Sequence, residues 1–354
     1  MHLHKQIKLQ QQHNILVNRN ITATILCSCL FQSSLHYNTI NMLRIALLVS
    51  GFLIMLLQQY VQTASLQLQS IIFLSGIVLL GVPHGAADLL VATQNAEDFK
   101  KSFSKIKFLF NYLGRLILFA ALLWFFPLAG NLLFIIFAAY HFGETDLHKF
   151  KTDTIAGKLF VISYGLLILG VILLHHFEEV KPLFQMFDSG IKYASFINWL
   201  DQYRYAILSF IGVLFFASTF FYFSSNISNL ENQGQFLVQL AILLFILYAL
   251  PMVLGFTFYF IVWHSVLSLR NIIGYLRKDA LFSFASIAKQ ISIYSIAAMA
   301  GITLFGLAGF MFVNNNAMMV YVFLGLAVLT APHMQIMHDM YKSMRSNSTA
   351  DKPV

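Results

Sequence analysis

Five histidines and their acidic neighbours stand out in a chain otherwise built from apolar blocks. Gly81-Val82-Pro83-His84-Gly85-Ala86-Ala87-Asp88 puts an imidazole, a carboxylate and a helix-disturbing Pro and Gly inside the apolar run from Ile71 to Val91. An ionisable group in a membrane span costs on the order of 3 kcal/mol, so such a pair marks a functional site by default. Three further stretches share this character: Ala139-Tyr140-His141-Phe142-Gly143-Glu144-Thr145-Asp146, Trp263-His264-Ser265, and Ala331-Pro332-His333-Met334-Gln335-Ile336-Met337-His338-Asp339. Asp88 follows His84 by four residues and so shares its helix face, where the carboxylate is expected to accept the second imidazole N–H and fix the tautomer. Asp146 and His338 are expected in similar supporting positions. Pro83 and Pro332 each free a carbonyl one turn earlier, of Leu79 and Val328, which a membrane tolerates where the backbone lines a protein-buried cavity.

Neutral imidazoles converging without cysteine suit a borderline divalent metal, iron, zinc or copper, rather than magnesium or calcium, which want oxygen ligands. An all-histidine site with open coordination positions suits Fe(II) and O2; spacing alone does not separate the three metals. The only cysteines, Cys27 and Cys29, offer no disulfide framework. Nothing resembles a P-loop, a dinucleotide-binding glycine fingerprint or a Ser-His-Asp arrangement, which leaves phosphoryl and hydride transfer without support.

The elements that must position these residues follow from composition. The 354 residues are 58% hydrophobic and 10% charged, with a mean hydropathy of +0.73, and the apolar residues come in blocks of about twenty. These features predict an all-α, polytopic integral membrane helical bundle rather than a barrel of alternating strands. The net charge of +8 lies in short loops between apolar blocks, so it reads as topology and not as a nucleic-acid surface. Residues 1–41, rich in Gln, Asn and His, read as a disordered leader upstream of a natural start at Met42. Residues 42–342 read as the transmembrane catalytic domain and 343–354 as a polar cytoplasmic tail.

Ten spans are expected, at roughly 43–60, 70–92, 108–127, 130–147, 159–175, 205–224, 235–250, 252–270, 290–313 and 317–341, with a possible single kinked helix across Pro251. Lysines and arginines cluster after the second, fourth, eighth and tenth, which puts both termini in the cytoplasm. His84, His141, His264, His333 and His338 then all lie about one to two turns above the cytoplasmic ends of helices that run in one direction. They share one depth, and a clustered site is the expectation.

In order along the chain, Pro83-His84-Gly85-Ala86-Ala87-Asp88, Tyr140-His141-Phe142-Gly143-Glu144-Thr145-Asp146, Trp263-His264-Ser265 and Pro332-His333-Met334 resemble the signatures of the Brp/Blh family of bacterial and archaeal membrane β-carotene 15,15′-dioxygenases. The resemblance runs from about Leu66 to Tyr341. It implies an iron-dependent, O2-consuming cleavage of the central double bond of β-carotene to two all-trans-retinal, in a multi-pass protein of the inner membrane, with retinal passed on to a rhodopsin. It also implies that His84, His141 and His264 are iron ligands and catalytic. The family places another ligand histidine one turn after the third, where this chain has Ser268. His333, at the same depth, is the candidate replacement; His338, five residues on, points to a different face. Such an enzyme draws β-carotene from the lipid phase into an aromatic tunnel. The residues also admit two other readings, a membrane carrier using His/Asp pairs as a relay and a non-catalytic carotenoid or retinal binder.

Overall fold

In a computed structural model, the described residues are 41–60, 64–150, 152–187, 193–225, 230–278, 283–310 and 318–350, and all their regular structure is helical. The chain divides into two compact units, Met1–Gly51 and Phe52–Val354. Of the first, residues 41–51 are described and open helix α1 (Asn41–Tyr60); the expected leader otherwise lies outside the described residues. The second unit holds α2 (Leu66–Asp98), α3 (Lys105–Phe125), α4 (Pro127–Asp146), α5 (Ile155–His175), α6 (Phe177–Phe187), α7 (Ala194–Ser225), α8 (Leu230–Ala249), α9 (Met252–Leu276), α10 (Phe284–Phe310) and α11 (Met318–Ala350).

Local chemistry sets the boundaries. Ser65, Ser104 and Thr154 cap α2, α3 and α5 with their hydroxyl oxygens, satisfying backbone donors that a helix start leaves open. Phe126, before Pro127, leaves the helical region with φ −135° and ψ 63°, and Pro127 opens α4 at a position needing no N–H, so α3 and α4 join with almost no loop. Pro251 breaks the chain between α8 and α9, with ψ 153°, so the two are separate helices rather than one kinked one. The stretch expected as a loop from 177 to 204 contains α6 and the start of α7, and most of the expected polar tail continues α11 to Ala350.

Among the described residues six helices, α1, α2, α3, α5, α7 and α9, are long and apolar enough to cross a membrane, where ten spans are expected. The expected spans at α4 and α11 are also helical, but α4 carries His141, Glu144 and Asp146 and α11 carries His333, His338 and Asp339. The expected spans at 235–250 and 290–313 fall on helices as well, α8 and α10. Within the apolar window of α9, 78% is buried, against 11% for α3, which makes α9 central and α3 peripheral.

Two departures from regular α-helix bear on the histidines. Residues Ile77–Gly81 of α2 form a π-helical turn directly before Pro83, and the Val82 N–H reaches back five residues to the Ile77 carbonyl. Pro83 has no N–H to offer Leu79, so the widened turn redistributes the backbone bonds around it. In α9, Phe258–Ser265 is also π-helical, and the Ser265 hydroxyl donates to the Phe260 carbonyl at 2.8 Å. Each wide turn re-aims the histidine at its end, His84 or His264.

Close packing holds α4 against α5. A Cβ built on Gly143 would overlap the Val161 carbonyl, and one on Gly165 would overlap the Ala139 carbonyl, so the two backbones touch on both sides of His141. Below the histidines, Ala87, Leu90 and Val91 of α2 pack with Ile272, Tyr275 and Leu276 of α9, Ile287 and Ile291 of α10, and Ile336, Met337, Met340 and Tyr341 of α11. Replacing Gly165 by Ala is expected to lower stability by about 1–3 kcal/mol through overpacking. Gly212→Ala, in open space on α7, is the control. Thermal unfolding in detergent checks this, and equal midpoints for the two variants would remove the close contact from the account.

Candidate metal centre

Four helices each deliver one buried imidazole to a common point. His84 of α2, His141 of α4, His264 of α9 and His333 of α11 are between 0% and 5% exposed. Their rings form a closed circuit: His84 to His264 at 5.7 Å between centroids, His264 to His141 at 4.9 Å, His141 to His333 at 5.1 Å and His333 to His84 at 5.0 Å. All four contacts are edge-on, with interplanar angles of 75–86°. His84 Nδ1, both nitrogens of His141, both of His264 and His333 Nε2 are buried without a hydrogen-bond partner. An unpaired buried polar atom costs about 1–3 kcal/mol; each neutral imidazole carries one lone pair, so the four rings together offer four donors to an electrophile, and the remaining ring N–H groups need acceptors.

The donor set fits a metal chemically, since neutral imidazole is a ligand for iron, zinc and copper. It also fits in size: four nitrogens each about 2.1 Å from one ion would leave adjacent ring centroids about 4.6–5.3 Å apart, for right-angle to tetrahedral arrangements. Three of the four spacings fall in that window and His84–His264 lies a few tenths of an ångström outside. Among the described residues, however, no group of three or more His, Cys, Asp or Glu side chains could hold a metal as placed. Turning an imidazole about χ2 carries its nitrogens through an ångström or more while its centroid stays nearly fixed, and χ2 of His is a soft torsion. The backbone has gathered the rings, and side-chain torsions decide where the lone pairs aim.

The surrounding carboxylates differ from the sequence expectation in an instructive way. Asp88 does not hydrogen-bond to His84 one turn before it. Its Oδ1 meets His333 Nδ1 at 2.7 Å and its Oδ2 accepts from the Tyr112 hydroxyl at 3.1 Å. With Nδ1–H donated to the carboxylate, His333 is left with its Nε2 lone pair toward the other rings, the tautomer a ligand needs. Asp146 likewise serves more than its own helix. Its Oδ2 accepts from Tyr164 of α5 at 2.7 Å, and from Tyr259 at 3.2 Å and Trp263 Nε1 at 3.0 Å, both on α9. Since Trp263 precedes His264, this carboxylate fixes the wide turn of α9 against α4 and so sets the distance from His264 to His141.

His338 stands apart from the four. Its Nδ1 meets both oxygens of the buried Glu144 at 3.0 and 3.2 Å, and Arg345 reaches the same carboxylate at 3.3 Å. Ser268, one turn after His264, is fully buried, and its hydroxyl oxygen has no partner. Sequence reasoning missed Asp98, at the end of α2, which accepts from Tyr275 at 2.6 Å, Lys278 at 2.7 Å and Ser343 at 2.5 Å. One carboxylate thereby ties the ends of α2, α9 and α11, the three helices that deliver His84, His264 and His333. It also missed Tyr112, Tyr164 and Tyr259, and the tie from Trp263 to Asp146, contacts that join residues far apart in sequence and leave no local signal.

Helices long and apolar enough to cross a membrane, with four buried imidazoles gathered from α2, α4, α9 and α11, define a helical membrane protein with a histidine-lined centre. The family model described as beta-carotene 15,15'-dioxygenase matches residues 75–341, and the chain belongs to that family. The match contains all four histidines. No curated protein and no solved structure matches the chain.

If Asp88 fixes His333 as a ligand, Asp88→Asn is expected to lower iron affinity by about 10–100-fold. His338→Ala is expected to leave iron content unchanged. Metal analysis of both variants after dialysis against a graded chelator checks the pair of outcomes, and equal losses from the two would refute the assignment.

Proposed function

We propose that this chain is an integral membrane dioxygenase that cleaves the central 15,15′ double bond of β-carotene. The observation that carries the reading is the circuit of four buried imidazoles, each from a different helix, inside a chain of the beta-carotene 15,15'-dioxygenase family. One alkene and one O2 are consumed, the carbon–carbon double bond is broken, and each half receives one oxygen atom as an aldehyde, giving two all-trans-retinal. His84, His141, His264 and His333 would hold iron. Bound there, Fe(II) supplies the one-electron chemistry by which O2 reacts with a closed-shell alkene.

The chain's own residues supply shape. Phe142 lies 4.7 Å from His264 and Phe260 stacks along the same imidazole at 6.1 Å with a 13° tilt. From Phe260 an aromatic series continues to Phe256 at 5.4 Å, Phe73 at 5.7 Å and Phe323 at 5.4 Å. Phe73 precedes His84 by eleven residues of α2, so the series extends about 16 Å along the helix axis. That is about half the length of a hydrocarbon as long as the bilayer core, roughly 30 Å. A central bond at the histidines then has one half along these rings, while the other half leaves in a different direction, so the substrate path bends or runs oblique to the membrane. A hydrocarbon offers no hydrogen bonds, and its register is set by wall shape alone.

The same reading places the chain as a multi-pass protein of the inner membrane, with ten spans and both termini cytoplasmic, taking β-carotene from the lipid and releasing retinal toward a rhodopsin. Asp88 and Asp146 act as positioning residues, through His333 and through the Trp263-His264 turn. His338 belongs to a neighbouring charge cluster and positions α11 against α4 through Glu144.

Expression in a β-carotene-producing host, with pigment extraction, tests the activity. Loss of β-carotene with retinal appearing, both abolished by His141→Ala, is the expected result. Undiminished β-carotene in cells whose purified protein carries iron would replace the enzyme with the non-catalytic binder. Protein without metal would favour the carrier.

A further inference from the structure

Apart from the histidine centre, a cavity of about 240 Å³ opens between the end of α2, the first half of α3 and α11. Its polar lining consists of Lys101, Arg115, Asn95, Asn111, Tyr112, Gln335 and Asp339. Arg115 is the notable member. It lies eleven residues into α3, about 15 Å along the axis from the lysine-bearing start of that helix, between Leu113, Ile117 and Leu118, which are 44–72% exposed. A guanidinium among lipid-facing side chains is costly, and helical side chains lean toward the N-terminus, so Arg115 extends back toward the end where Lys101 stands.

Lys101 is delivered to the same cavity by a specific turn. Lys100 has φ 52°, in the left-handed region that favours glycine. The Lys101 N–H bonds to the Ala96 carbonyl at 2.8 Å and the Lys100 N–H to the Glu97 carbonyl at 3.0 Å, which folds the chain back over the end of α2. The Lys101 ammonium then rests 5.4 Å from the Phe99 ring centroid. Among the described residues neither Lys101 nor Arg115 forms an ion pair. The one carboxylate in the lining, Asp339, accepts from the Gln335 amide at 3.1 Å, and the lining keeps a net positive charge. Asn95 Oδ1 is buried there without a partner.

Two unpaired cations and several amides, in a cavity bordered by lipid-facing apolar side chains at a helix end, are the complement of a phosphodiester carried on acyl chains. We propose that this cavity binds the headgroup of an anionic membrane phospholipid, with Lys101 and Arg115 on the phosphate, the amides of Asn95 and Asn111 on its ester or glycerol oxygens, and the acyl chains along the exposed face of α3. Basic pockets between membrane helices recognise such headgroups.

The test uses the full chain reconstituted in phosphatidylcholine alone or with a minor proportion of phosphatidylglycerol, then re-extracted for bound-lipid analysis. Wild type is expected to retain phosphatidylglycerol and to unfold at a higher temperature in its presence. The double variant Lys101→Gln/Arg115→Gln is expected to retain about tenfold less and lose the thermal shift. Lys105→Gln/Lys107→Gln, removing charges of α3 outside the cavity, is expected to behave as wild type. Equal phosphatidylglycerol retention by the cavity variant and wild type would overturn the proposal, as would equal loss in the two double variants, which would mean surface attraction only. Stabilisation by inorganic phosphate with none from the lipid would assign the cavity to a free anion instead. Iron content, expected to be the same in all forms, separates failure of this site from failure of the histidine centre.

Discussion

Four buried imidazoles gathered inside an apolar bundle, with six of their ring nitrogens lacking partners, are the constraint around which the fold is arranged. Left bare, each costs about 1–3 kcal/mol, and four helices have to hold the rings together against that cost. The holding is done at some distance from the rings. Gly143 and Gly165 let α4 and α5 touch. Asp98 ties the ends of α2, α9 and α11 through Tyr275, Lys278 and Ser343, and Asp146 locks the wide turn of α9 to α4 and α5. Each carboxylate sits at a junction of helices, where one acceptor satisfies donors that an apolar interior would leave unmatched.

The arrangement divides labour between polar and aromatic residues. Around the rings, carboxylates fix orientation, as Asp88 does for His333. Away from the rings the wall becomes aromatic, from Phe260 through Phe256 to Phe73 and Phe323. A site of this kind suits a substrate that is all hydrocarbon and a co-substrate that is small and uncharged. The π-helical turns belong to the same logic, since each adds a residue where a histidine must turn inward, at Ile77–Gly81 and at Phe258–Ser265.

Much of this was legible in the residues. Apolar blocks predicted a helical membrane protein, and hydropathy with loop charges placed five histidines at one depth; the structure brings the rings of four together, while His338 pairs with Glu144 instead. His333 was singled out on depth alone, and its ring completes the circuit while Ser268 is buried one turn from His264. What could not be read was which helix faces which. Four-residue spacing put Asp88 beside His84, yet sharing a face does not decide a hydrogen bond when a second helix packs on that face. Asp88 instead serves His333, 245 residues away, and Asp146 serves Trp263, 117 residues away. All ten expected spans fall on helices, and six of these, among the described residues, are long and apolar enough to cross a membrane.

The central claim is that four imidazoles from four helices hold one iron. X-ray absorption at the iron edge of the purified, iron-loaded protein tests it most directly. The account predicts only nitrogen or oxygen neighbours near 2.1 Å, about four of them with the outer-shell scattering of imidazole rings, and one fewer such ring in His333→Ala. A first shell dominated by oxygen, or an unchanged imidazole count in that variant, would contradict it.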